Sequence, residues 1–201
     1  MFSKKNYDIL VTNNSFIIRN EYSGSETIIS FPVFIPNVPF YYHLLDDASN
    51  YFTNIIKQVK SLKIKYATII LPDDAIDMEI DKQLLTAFFR QSGAKHILLK
   101  NHSFLLSPEY GSYISVSRTT RAVILQYISD NKSLAKRYYD IDIINPDQLI
   151  SGMNRLHNDC AYGKTPVFIN NMYEDMTSYE SIGTMVTLYS MLNNLPKLHT
   201  V

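Results

Sequence analysis

The sequence predicts an α/β protein in two similar halves, each a mixed sheet with an antiparallel meander and flanking helices. Three observations predict it. Short apolar runs separated by turn residues open the chain, and the same pattern returns after Pro108 and Gly111. Each set of short runs is followed by amphipathic helical stretches alternating with compact apolar runs. The sequence from residue 65 to residue 99 reads strand, helix, strand, a βαβ unit whose strands lie parallel in one sheet. We place the first half at residues 1–108 and the second at 109–201.

The elements follow in order. Asp8–Thr12 and Phe16–Arg19 are apolar runs around Asn13-Asn14, two residues that tolerate positive φ, and so predict a hairpin. Thr27–Phe31 adds a strand after the turn Ser23-Gly24-Ser25, and Pro32, Pro36 and Pro39 then break regular structure. From His43 to Leu62 apolar residues recur at helical steps (Leu44, Ala48, Tyr51, Phe52, Ile55, Val59, Leu62). Asp46 and Asp47 near its start and Lys57, Lys60 and Lys63 near its end suit the helix dipole. Lys65–Leu71 reads as a buried strand stopped by Pro72. Asp77–Ser92 reads as a helix with the stripe Ile80, Leu84, Leu85, Phe88 and Phe89, and Gly93 stands where a helix stops. His96–Leu99 is the next strand.

In the second half, Tyr113–Val116, Arg121–Tyr127 and Leu134–Asp140 predict a meander, with a turn at Ser129-Asp130-Asn131-Lys132. Asn145-Pro146 opens a helix, as cap and first residue, that runs to about His157. Val167–Asn170 is a last strand. Ile182, Met185, Val186, Tyr189 and Leu192 predict a last helix over Glu174–Leu192.

Composition excludes several classes. At 201 residues, with 46% hydrophobic and 19% charged content, the chain is an ordinary folded globule. A chain of this size buries roughly 70% of its unfolded surface and needs no metal or disulfide to fold. Nineteen basic residues balance nineteen acidic ones, which gives no pull toward nucleic acid or anionic lipid. Cys160 is the sole cysteine, so no internal disulfide forms and a reducing compartment is expected. It reads as a small buried side chain rather than a nucleophile, because Asp159 and Tyr162 do nothing to stabilise a thiolate. Met1–Tyr7 lacks a signal h-region and no apolar run nears the roughly 20 residues a bilayer needs. The expected location is the cytosol, with a membrane anchor beyond Val201 left open.

The chemical constellations are weak. Tyr162-Gly163-Lys164-Thr165 ends like a phosphate-binding P-loop, but Asn158 stands where that motif requires its first glycine, and the stretch precedes a strand. A turn is the better reading. His43, His96, His102, His157 and His199 lack metal-ligand spacing with one another and with Cys160. Asp73, Asp74, Asp77 and Glu79 could chelate a hard cation, but read better as helix capping, as do Asp140, Asp142 and Asp147. No Gly-x-Ser-x-Gly elbow nominates a serine. Lys132, Lys136, Arg137, Tyr138 and Tyr139 mix cations with aromatics, yet on an alternating strand they read as a solvated edge with basic gatekeepers.

The duplicated plan, and above all Tyr66–Ser107 (YATIILPDD onward), resembles the actin-like ATPase superfamily of sugar kinases, Hsp70 chaperones and bacterial actins. The resemblance implies two phosphate hairpins bearing Asp and Gly, because only glycine lets backbone N–H groups approach so closely. Here those places hold Leu10-Val11-Thr12-Asn13-Asn14 and Ser115-Val116-Ser117-Arg118-Thr119, without glycine and without the metal-facing Asp. His102-Ser103 stands for the family's Glu-Pro pair, and Asn170-Asn171 falls near its Gly-Gly adenosine turn. The expectation is a chain without ATP chemistry. We therefore assign no catalytic, cofactor-binding or metal-binding residue and no cofactor.

Small degenerate domains of this kind, which the chain resembles in length, are the cytoplasmic actin-like domains of type IV pilus and type II secretion assembly platforms. The resemblance implies a non-catalytic scaffold at the inner face of a bacterial inner membrane. Its partners would be a secretion or pilus assembly ATPase or the tail of an inner-membrane platform protein, with no nucleic acid and with homodimerisation left open. The fifteen tyrosines mildly favour a binding surface. The rivals are a divergent actin-like ATPase that still binds ATP, and a small α/β hydrolase or transferase, which would need a deep pocket with a shifted titrating group.

Overall fold

The computed structural model describes residues 6–31, 35, 37–45, 50–141 and 145–199. They fall into two compact units, Met1–Asn101 and His102–Val201. The sequence reading sets the division at Pro108. His102–Leu105, a short 3₁₀ turn, goes with the second unit because the Tyr113 hydroxyl donates to the Ser103 carbonyl at 2.9 Å and Gln126 donates to the Ser103 hydroxyl at 3.2 Å.

In the first unit, β1 (Asn6–Val11), β2 (Ser15–Asn20) and β3 (Glu26–Ser30) form the antiparallel meander. β4 (Tyr66–Leu71) lies parallel to β1, and β5 (His96–Asn101) parallel to β4. The strand order is β3-β2-β1-β4-β5. Alternation works as pleating requires: Ile18, Ile9, Ile69 and Leu99 stand in one cross-strand row and face the same core. That core is closed by α1 (Asn50–Ser61), through Ile55, Ile56 and Val59, and by α2 (Glu79–Gln91), through Leu84, Leu85, Phe88 and Phe89. The Phe16 ring is its hub, with Phe31, Phe40, Phe88 and Phe89 centroids at 5.4, 5.1, 5.6 and 5.2 Å. Gly93, at φ +114°, ends α2: its N–H bonds to the Arg90 carbonyl while that of Ala94 bonds to Phe89, the paired closure that a left-handed residue permits.

The second unit repeats this plan. β6 (Ser112–Arg118), β7 (Val123–Ser129) and β8 (Lys132–Tyr139) are antiparallel, β9 (Val167–Asn170) is parallel to β6, and β10 (Thr184–Val186) is parallel to β9. The order β10-β9-β6-β7-β8 matches the first sheet strand for strand. Asp130 and Asn131, at φ 49° and 57°, make the tight β7–β8 turn. α3 (Pro146–Asn154) starts at a capping box in which the Asn145 side chain accepts the Gln148 N–H at 2.9 Å and Gln148 accepts that of Asn145 at 3.1 Å.

Four expectations are corrected. The last helix does not span Glu174–Leu192: a 3₁₀ turn (Thr177–Ile182) leads through Gly183 into β10, and α4 occupies Leu188–Asn194 under a Thr187 cap. In place of one helix from His43, a 3₁₀ turn covers Phe40–Leu45 and α1 begins at Asn50. The helix expected from Asp77 begins at Glu79, and β7 begins at Val123 because Arg121 and Ala122 belong to the preceding turn. The expectations on Pro32, Pro36, Asp46, Asp47, Ala48 and Asp142 lie outside the described residues.

Candidate functional site

The resemblance to actin-like ATPases would put phosphates at two hairpin tips, one in each unit. After β1, Thr12 is 5% exposed and its N–H bonds to the Ser15 carbonyl at 2.9 Å. Its hydroxyl accepts the backbone N–H groups of Asn14 at 3.3 Å and Ser15 at 3.0 Å, and meets the Ser15 hydroxyl at 2.8 Å. After β6, Thr119 repeats the arrangement. Its N–H bonds to the Ala122 carbonyl at 2.9 Å, and its hydroxyl accepts the N–H groups of Arg121 at 3.2 Å and Ala122 at 3.1 Å. Both threonines stand at the residue that follows the first strand of their sheet.

The chemistry of these tips follows from donor accounting. A backbone loop binds an anion when several N–H groups point outward with no other acceptor. At each tip two of the N–H groups that follow the strand are taken up by a side-chain oxygen inside the turn, and the threonine's own N–H by a main-chain carbonyl. Ser115 is buried and its hydroxyl reaches the Gln126 carbonyl at 3.4 Å, while the Arg118 guanidinium lies 3.9 Å from the Asp175 carboxylate. Asn13 is half-buried and Asn14 exposed.

The two other places behave alike. Ser103 is fully buried and holds Tyr113 and Gln126, and His102 is buried beside it in the sequence. Asn170 accepts the Met172 N–H at 3.1 Å and Asn171 that of Met176 at 3.0 Å, so both side chains fix the loop after β9. The Asn171 N–H in turn bonds to the Val186 carbonyl at 2.9 Å.

The remaining candidates are scattered. Tyr162 and Gly163 form a turn at φ 77° and 65° that leads into β9, and the Thr165 hydroxyl donates to the Asp159 carbonyl at 2.9 Å. A P-loop would open a helix there. Asp73 and Asp74 are buried in turns before α2, and the α2 cap is Met78 without a side-chain bond, so the acidic cluster does not cap that helix. Glu79 instead pairs with Lys82 at 2.8 Å, which holds its carboxyl below the usual range. Asp140 and Asp147 are exposed, the latter in the first turn of α3. His96 stacks on Tyr66 at 4.7 Å, and His157 stacks on Tyr127 at 4.7 Å while accepting the Asp159 N–H. His43 lies in the 3₁₀ turn before α1, and His199 is exposed. Along β8, Tyr138 is exposed while Tyr139 packs into the core beside Gly152.

Cys160 is 1% exposed and borders a cavity of about 240 Å³ with Met153, Val167 and Ile182. Burial pushes its thiol up, the opposite of what an activated nucleophile needs.

One buried group escaped the sequence reading. Asp81, fully buried on the inner face of α2, accepts the Tyr41 hydroxyl at 2.9 Å and also that of Tyr42. The readable signal is an acid on the stripe of Leu84, Leu85 and Phe88. Two phenol donors satisfy oxygens of its buried carboxyl group, so it serves the core.

No family model and no curated protein matches the chain. Solved structures do. A Bacteroides thetaiotaomicron protein described as having an actin-like ATPase fold and unknown function aligns over 99% of this chain and 97% of its own, at 10% identity and a TM-score of 0.55. AlfA of the B. subtilis plasmid pLS32, solved as a filament, aligns over 94% and 97%, also at 10% and 0.55. Against MreB 5 of Spiroplasma citri bound to AMPPNP the identity is 8% and the TM-score 0.46, and this chain spans 55% of that one. The fold is therefore actin-like: α/β, with two mixed five-stranded sheets and flanking helices.

Proposed function

We propose that this chain is a docking domain that keeps the actin-like fold without its nucleotide chemistry. The observation that carries the reading is the pair of threonines: Thr12 and Thr119 each take up two backbone N–H groups at the tips where phosphates would sit. A site cannot offer an anion donors that it has already used.

In the finer reading, the domain serves a type IV pilus or type II secretion assembly at the inner face of a bacterial inner membrane. It docks the secretion ATPase or the tail of a platform protein. What supports this is the resemblance in size and in lost phosphate glycines to the degenerate domains of those machines. Among the described residues no helix is long and apolar enough to cross a membrane.

Isothermal titration with ATP and magnesium tests the first claim. No heat is expected up to millimolar nucleotide, and micromolar binding would overturn it. Phosphate release above background, abolished by altering Ser115 or Asn13, would establish a divergent ATPase instead. Copurification with a secretion ATPase or a platform-protein tail tests the second claim.

A further inference from the structure

β5 ends the first sheet, and among the described residues no strand pairs with its outer edge. Edges of this kind are usually blunted by short length, proline, a bulge or a charged side chain, and the last is the one such feature β5 has, in Lys100. β5 is six residues long, pairs with β4 in unbroken register and contains no proline. Beside it runs a groove of about 450 Å³, lined by Glu79, Lys82, Gln83, Thr86, Ala87, Arg90 and, from β5 itself, Leu99. The α2 residues recur at three- and four-residue steps, so the groove follows one side of the helix for about 16 Å. An extended peptide of five residues is about 17 Å long.

The charge of this place is one-sided although the whole chain is neutral. Glu79 is the acid in the groove, and Lys82 holds it at 2.8 Å. Arg90 lies in the last turn of α2, Lys95 precedes β5 and Lys100 lies within it; none of the three forms an ion pair among the described residues. The Lys95 N–H bonds to the Lys65 carbonyl at 2.9 Å, which brings a further lysine to the same end. Leu98 is 52% exposed on the opposite face of the strand.

We propose that the β5 edge and the α2 groove together bind an extended acidic peptide segment as an added sixth strand. Its backbone pairs with β5; on the α2 face one apolar side chain meets Leu99 and a carboxylate meets Arg90, while on the opposite face a carboxylate meets Lys100. Strand addition draws affinity from main-chain bonds and specificity from alternate side chains. A nucleic acid fits less well, because the groove lining carries no aromatic ring on which bases could stack. This inference deepens the docking reading above and rests on it.

The test uses the full chain and a fluorescein-labelled heptapeptide in which aspartates flank one central leucine. Anisotropy should show micromolar binding, weakened tenfold or more by Arg90→Glu or Lys100→Glu, and hydrogen exchange of the β5 amides should slow. The same peptide with alternate amides N-methylated on one edge should lose binding. Equal binding of the N-methylated peptide would overturn strand addition, and so would no binding at millimolar peptide or equally tight binding of oligo-dT. Micromolar ATP binding in the calorimeter together with intact peptide binding would sink the nucleotide-free reading and leave this one standing. A silent calorimeter with no peptide binding would sink this one alone.

Discussion

A threonine hydroxyl that accepts two main-chain N–H groups is a small device with a measurable cost of removal. Thr12→Val and Thr119→Val keep the shape and remove the acceptor, leaving two donors without it. Each should lower stability by about 1–2 kcal/mol in urea titrations, and serine at either position should restore most of the loss. A valine variant as stable as the parent would mean that water or another group satisfies those donors. Two buried acids shape the alkaline limb. Burial pushes the Cys160 thiol above its ordinary range; the Asp159 charge adds to this, while the Thr165 hydroxyl and the His157 main chain pull the other way. Burial likewise raises the Tyr127 phenol. The native chain keeps these protons where the unfolded chain gives them up, so the unfolded state binds fewer protons and stability falls as pH rises. The loss should begin near the ordinary thiol value of about 8.5 and grow toward the folded values. Urea midpoints at pH 7.5 and 10 check it, and Cys160→Ala should flatten the first part of the decline.

At the scale of elements, β10 is the informative case. A Cβ at Gly183 would lie 2.8 Å from both the Val167 carbonyl oxygen and Cγ1, so β9 and β10 meet only because that residue has no side chain. Gly183→Ala should cost about 1–3 kcal/mol by overpacking, read as a lower denaturation midpoint. Val167→Ala should recover only part, because the carbonyl contact stays. The same region shows why the reading of a long final helix failed. Ile182, Met185, Val186 and Tyr189 are spaced by three and four residues, and a three-residue strand is too short to display a period of two. The meanders were legible because their short apolar runs are bounded by turn residues, and α3 because its cap and proline are local signals. Asp81 was not, since its partners Tyr41 and Tyr42 lie about forty positions away. The hairpin threonines were visible as departures from a glycine pattern. Their role as acceptors needed the turn geometry. The openness of β5 needed the sheet order, which no local stretch encodes.

At the scale of the molecule, the plan is present twice, and the second copy carries the same hydroxyl at the same place in its sheet. One such residue would be an accident of drift; two make the engagement of these turn donors by a threonine hydroxyl a repeated feature of the chain. The bulk charge bears on handling as well. With nineteen charges of each sign and a pI near 7.0, the chain has little net repulsion at neutral pH. Light scattering across pH 5.5 to 8.5 should show self-association highest near pH 7 and relieved toward either side.

Because the chain has a single sulfhydryl, sealed at the floor of the second unit, that atom is a built-in clock. The rate at which a small disulfide reagent captures it reports how often that half of the protein breathes open. No engineered probe is needed, and no signal from the other half is mixed into the trace.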